Sequence, residues 1–176
     1  MNFSARISQL QSELNTSYII PGQNPASERY TINTAINDTN YHQGRSLMAT
    51  TGLSYSRLWY SIHQIYTLNY QIIESELKNK PRFTSHLLIP SVNWQWTHST
   101  HPTNPSSGYH FDLVLRATNK SLGSNITFAQ AVVHTKWLFP LTKSSNQEMV
   151  LRLGLGHTAT KVQDQIPLNY QFYVGG

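Results

Sequence analysis

Cysteine is absent from the 176 residues, so the chain can build neither a disulfide framework nor a thiolate metal site. Charge is scarce as well. Lys, Arg, Asp and Glu make up 12% of the sequence, about half the usual share of a soluble domain. The thirteen basic residues are scattered singly from Arg6 to Lys161, so the formal net charge of +5 forms no basic stripe and no nucleic-acid partner is expected. Long apolar runs are missing too. Trp137-Leu138-Phe139-Pro140-Leu141 is far short of the roughly 20 residues that a membrane-spanning helix requires. The opening Met1-Asn2-Phe3-Ser4-Ala5-Arg6 lacks the basic start and apolar core of an export signal. Helical periodicity is nearly absent: the best candidate, Ile7 to Leu14, gives way to Tyr18-Ile19-Ile20 and ends at Pro21-Gly22. If this chain crosses a bilayer, it does so as strands.

What is present is polarity without charge, supplied by Asn, Gln, Ser, Thr, Tyr and His, together with 11% aromatic residues, ten of them Tyr and four Trp. Disorder favours high net charge and few aromatics, so this composition belongs to a folded chain. No composition break divides it, and residues 1–176 read as one domain or a piece of one.

The dominant pattern is a period of two. Between Tyr109 and Thr118, Phe111, Leu113, Leu115 and Ala117 alternate with His110, Asp112, Val114, Arg116 and Thr118, which is what a pleated strand imposes. Leu151, Leu153 and Leu155 alternate with Arg152, Gly154 and Gly156, whose glycines thin one face where something packs closely. Ile62, Tyr66, Leu68, Tyr70 and Ile72 share another face, with Gln64 and Ile65 breaking the frame. Similar faces are formed by Leu47, Ala49, Leu53 and Tyr55, by Leu88, Val92, Trp94 and Trp96, and by Ala129, Ala131, Val133, Trp137 and Phe139. About nine such segments are predicted, divided by polar or Pro/Gly stretches at 21–27, 38–44, 58–60, 75–82, 98–108, 119–124 and 140–147, with a weak turn near Gln11. Several exceed the usual strand length of about 5–6 residues and match a tilted strand crossing a bilayer.

Alternation also occurs in soluble sandwiches, so three further features decide for an all-β antiparallel meander forming part of a transmembrane β-barrel. Lys and Glu, which soluble sheets present to water and use to blunt their edges, are nearly missing from the strands. Tyr30, Trp59, Tyr60, Trp94, Trp96, Tyr109, Trp137 and Phe139 fall near strand ends, where an aromatic girdle meets lipid headgroups. Sliding the Tyr109–Thr118 strand by one residue would turn Asp112 and Arg116 to lipid, where an Arg at the midplane costs roughly 2–4 kcal/mol. The alternative is a soluble β-sandwich or small-barrel ligand-binding module, with Trp94 and Trp96 as a sugar-stacking platform.

The sequence carries no catalytic constellation, and the chain is not expected to be an enzyme or to hold a cofactor or metal. His98 and His101 flank Ser99-Thr100 in a Pro- and Ser-rich connection with no carboxylate close by in sequence. Asp38, Glu74, Glu76 and Asp112 offer carboxylates, but no pair is read on one strand face. Gly52-Leu53-Ser54 lacks the second glycine of a nucleophile elbow, and Leu153-Gly154-Leu155-Gly156 is followed by no helix that could make it a phosphate loop.

The last residues, Tyr170-Gln171-Phe172-Tyr173-Val174-Gly175-Gly176, carry a resemblance. They are similar to the Phe-aromatic-x-Gly-Gly stretch that opens the long sixth extracellular loop in the surface-antigen barrel of the BamA/TamA family, with Gln171 where that family usually has Arg. The stretches Thr84–Ser99, Tyr109–Phe139 and Leu151–Gly154 sit at matching spacing, and the likeness is nearest to the TamA members. The resemblance implies a partial barrel covering about the third to the eleventh family strand, with the stretch after His157 on the extracellular side. It implies the bacterial outer membrane, membrane lipid and client outer-membrane proteins such as autotransporters as partners, and a periplasm-spanning partner subunit. It also implies that Phe172, Tyr173, Gly175 and Gly176 shape the base of a loop folded back into the lumen. The Arg-Gly-Tyr/Phe signature that follows Gly-Gly in the family is missing after Gly176, so the chain is expected to be a fragment of a longer protein or a truncated product.

Overall fold

Nine strands account for most of the chain in the computed structural model, which describes residues 1–41, 44–77, 82–100, 106–141, 148–160 and 166–171. They are β1 (Asn2–Ile7), β2 (Gln11–Pro21), β3 (Glu28–Tyr41), β4 (Gly44–Trp59), β5 (Ile62–Leu77), β6 (Phe83–Ser99), β7 (Gly108–Thr118), β8 (Phe128–Pro140) and β9 (Glu148–Thr160). Each pairs antiparallel with its sequence neighbours in the order β1 to β9, giving one open sheet with β1 and β9 as its edges. The soluble sandwich is thereby set aside, because there is no second sheet among the described residues to meet the apolar face.

The faces are inverted relative to a soluble sheet. Along β4, Ser46, Thr50 and Ser56 are buried, while Leu47 and Leu53 between them are 39% and 58% exposed. The same holds across the sheet: Gln71, Ser75, Ser85 and Gln130 are covered, whereas Ile32, Ile36, Leu68, Ile72, Leu115 and Leu155 stand exposed. Burying hydroxyls and amides while leaving Leu and Ile in water costs free energy in solution and is the expected arrangement when the outer solvent is hydrocarbon. A shallow trough of about 1020 Å³ crosses this apolar face, lined by residues such as Tyr30, Leu53, Leu68, Val92 and Leu115.

The apolar face has two different rims. At one end Tyr30 and Tyr55 lie 5.0 Å apart between ring centroids, Trp96 packs 5.4 Å from Phe111, and Trp137 pairs with Tyr109 across β8 and β7. At the other end Arg45 is held by Asp38 at 2.8 Å and Arg82 by Glu74, with Glu76 opposite Arg45. Glu74 and Glu76 therefore do share a strand face, contrary to the sequence reading, but as part of a charged boundary with arginines. From Arg45 to Arg57 a strand rises about 40 Å, which at the usual barrel tilt spans roughly 30 Å, the thickness of a hydrocarbon core.

Turns are tighter than the polar stretches of the sequence predict. Asp38, Ser75, His98, Ser99 and Pro140 lie inside strands, because the sheet continues past the apolar band into the region where polar side chains meet water. The weak turn near Gln11 falls at residues 8–10 and is closed by Ser8 N–H donating to the Gln11 carbonyl at 3.0 Å. Between β4 and β5 the connection is two residues, Tyr60 and Ser61, with Tyr60 at φ 53°, the left-handed geometry that two-residue hairpins demand.

The frame of β5 is not broken at Gln64 and Ile65. Register pairs Gln64 with Arg57 and Trp94 on the apolar face, and Ile65 with Ser56 and Asn93 on the polar one. Gln64 is tolerated there because it is buried among partners: Arg57 Nε donates to its Oε1 at 2.7 Å and Tyr66 hydroxyl at 3.4 Å.

Strand β7 is shorter than β6 and pairs with it only from Ser91 onward. The exposed edge of β6 is completed by the connection between β7 and β8: Asn125 N–H donates to the His86 carbonyl at 3.0 Å, and Asn125 Oδ1 and Ser124 Oγ accept from His86 N–H and Leu88 N–H at 3.0 and 2.8 Å. Within that connection a one-turn helix, Lys120–Leu122, is capped by Asn119 and stopped by Gly123 at φ 84°.

Candidate functional site

The polar face is the side on which the sheet gains contacts beyond its own strands. Near its charged-rim end it carries an apolar patch of Ile73, Leu87, Ile89 and Phe128, flanked by Met48 and joined by Ile126 from the connection after β7. Over this patch lies the segment Ile166–Gln171, which follows β9 and contains a short turn at Leu168–Tyr170. Ile166 and Tyr170 are buried in it at 5% and 7% exposure.

Tyr170 is the centre of the contact. Its hydroxyl donates to Gln71 Oε1 at 2.5 Å on β5, while its backbone carbonyl accepts from Gln130 Nε2 at 2.9 Å on β8. Its ring packs 5.2 Å from Phe128, and the Arg116 guanidinium lies 4.9 Å from the ring centroid. Beside it, Ser46 hydroxyl donates to Asn169 Oδ1 at 2.8 Å and Asn169 Nδ2 approaches Met48 Sδ at 3.5 Å. Gln130 is fully used, accepting from Arg116 Nε at 2.6 Å and donating also to Thr158 at 2.7 Å. One short segment is thus tied to β4, β5, β7 and β8. Burial holds the Tyr170 phenol above its ordinary pKa, against the opposing effects of Arg116 and the Gln71 hydrogen bond, so it stays neutral and donating.

The arrangement offers mechanical fastening. No group of three or more metal-binding side chains occurs among the described residues. His98 lies at the end of β6 with its ring 5.7 Å from Tyr109, and its sequence neighbour His101 lies outside the described residues. Gly52-Leu53-Ser54 is mid-strand in β4. Trp94 and Trp96 meet edge to face at 73°, so they offer no common plane to stack a sugar on. Gly154 is thinned for a neighbour on its own face: a Cβ there would come within 3.2 Å of the His134 ring.

An open all-β meander, apolar outside and closed over on its polar side by a segment after its ninth strand, has a counterpart among known families. The family model described as Omp85 superfamily domain matches residues 1–176. The chain belongs to the Omp85 superfamily. A comparison with curated proteins gives no match. Omp85 proteins are outer-membrane proteins of the insertion and translocation machinery, and they engage client outer-membrane proteins and partner subunits. The family covers the BamA/TamA resemblance of the sequence in general, without singling out TamA.

Phe172, Tyr173, Gly175 and Gly176, the motif residues of the sequence reading, lie outside the described residues. The Omp85 chain is fastened one step earlier, through Asn169 and Tyr170, which the sequence reading passed over. The available signal was weak: Gln71 and Gln130 are long amides on the inner faces of β5 and β8, and they meet Tyr170 across 99 and 40 residues of chain.

Proposed function

We propose that this chain is the central part of the barrel of a TamA-type assembly factor, about the third to the eleventh family strand, which helps autotransporters or other β-barrel proteins enter the bacterial outer membrane. The docking of Ile166–Gln171 onto the polar face supports this reading, since it holds the residues that precede Phe172 against the inner wall, where such a re-entrant loop would begin. Phe172, Tyr173, Gly175 and Gly176 continue from that anchor, the glycines allowing the backbone turns other residues resist. The apolar face meets membrane lipid, and a periplasm-spanning subunit completes the assembly. The work is mechanical, with no bond made or broken in the client.

The test is complementation. Cells lacking the gene are expected to show less autotransporter in the outer-membrane fraction, restored by the wild-type gene and much less by Tyr170→Ala at equal protein level. Normal autotransporter levels in the deletion strain would remove the assembly reading. Purification of the chain as a monodisperse, detergent-free monomer would remove the membrane reading with it.

A further inference from the structure

Away from the docked segment, toward the aromatic end, the polar face changes character. Antiparallel register lines up Thr97 of β6, His110 of β7, Lys136 of β8 and Arg152 of β9 in one row across four strands. The row beside it holds His63, Gln95, Asp112, His134 and Gly154. Lys136 faces Arg152 directly, and like charges paired across adjacent strands are destabilising. Neither has an ion pair or hydrogen bond among the described residues, and both are exposed.

Asp112, the acid among these two rows, is largely covered and forms no ion pair with Lys136 or Arg152. Its side chain is 17% exposed, against 62% for His134, whose Nδ1 lies 3.7 Å from Asp112 Oδ2. Glu148 lies four residues along β9 from Arg152, about 13 Å away at strand rise, beyond direct pairing. The surface offered to the interior is therefore cationic, and His110 within it is held by Thr97 at 2.8 Å.

We propose that His110, Lys136 and Arg152 form a docking ledge for an extended acidic polypeptide segment entering the polar interior from the aromatic end. The three side chains lie on adjacent strands and span two inter-strand spacings, about 10 Å, wider than a single phosphate and matched by two carboxylates on alternate residues of an extended chain, about 7 Å apart. A lipid headgroup does not fit, because these side chains stand on the face opposite the one that meets the bilayer. The occupant neutralises the facing Lys136 and Arg152 and so relieves the repulsion between them. This inference goes beyond the assembly reading and stands on the row alone.

The experiment uses the full chain in micelles and a fluorescent octaglutamate peptide, read by anisotropy against an octaglutamine control. The acidic peptide is expected to bind, with affinity falling about tenfold in Lys136→Gln/Arg152→Gln and with rising salt, and unchanged in Arg6→Gln. The charge-preserving swap Lys136→Arg/Arg152→Lys is expected to bind like wild type, which separates lost charge from lost fold. Equal binding by the charge-removed variant, equal binding of octaglutamine, or displacement of the peptide by an equal charge of inorganic phosphate would each overturn the ledge.

Discussion

The two ends of the polar face are built from the same kind of strand and behave in opposite ways. At the charged-rim end, Ser46, Gln71, Ser75, Ser85 and Gln130 are neutral and lie covered, several of them under the chain's own Ile166–Gln171. At the aromatic end, Lys136, Arg152 and His134 are left open. The difference follows from desolvation. Ser46, Gln71 and Gln130 are covered with a hydrogen-bond partner each, and the Arg116 charge beside them is held by Gln130 and the Tyr170 ring, whereas the facing Lys136 and Arg152 have no partner among the described residues that would let them be covered. The interior is therefore divided into a part closed by its own chain and a part left available to something else.

The sharpest way to break this contrast is to strip the closure. Tyr170→Ala removes an aromatic ring, a hydroxyl donor to Gln71 and the partner of Arg116, and is expected to cost about 3–5 kcal/mol of segment docking. Limited proteolysis in micelles checks it: cleavage within residues 166–171 should accelerate strongly while the strands stay protected. The next effect tests the faces themselves. Leu53→Arg is expected to destabilise the lipid-inserted sheet by about 2–4 kcal/mol, whereas Ser54→Arg, one residue along β4 and on the polar face, should change it by less than about 1 kcal/mol. Urea titration of each variant in lipid vesicles measures the pair, and equal losses would refute the assignment of faces.

Smaller is the effect of Gln130→Leu, which leaves the Tyr170 carbonyl and Arg116 Nε each short of a partner, at about 1–3 kcal/mol. The same proteolysis should show faster cleavage than wild type and slower than Tyr170→Ala. The smallest effect is alkaline. Tyr170 is an acid whose pKa is raised in the docked state, so docking is insensitive to pH below the ordinary phenol value near 10. Above that value the released segment loses its proton first, and docking weakens. Tyrosinate absorbance of wild type against Tyr170→Phe is expected to show one phenol titrating late.

How much of this was legible depended on the range of the interaction. Alternation such as Phe111, Leu113, Leu115 and Ala117 is local, so strand number, strand faces and the placement of His134 and Lys136 on the polar side could be read directly. Gln64 misled because its partners Arg57 and Trp94 lie on neighbouring strands, and a buried Gln on an apolar face is meaningless until they are known. Tyr170 was hidden for the same reason at greater separation, beside a more conspicuous Phe-Tyr-x-Gly-Gly. The facing of Lys136 and Arg152 required register, which no single strand specifies.

The mismatch between β6 and β7 has a consequence for tolerance to change. Where β7 falls short, the wall would have a slot in its upper course, and an irregular stretch carrying Ser124 and Asn125 plugs it like mortar. Ser124 and Asn125 hold the slot shut, and losing them would let water or lipid seep between adjoining staves.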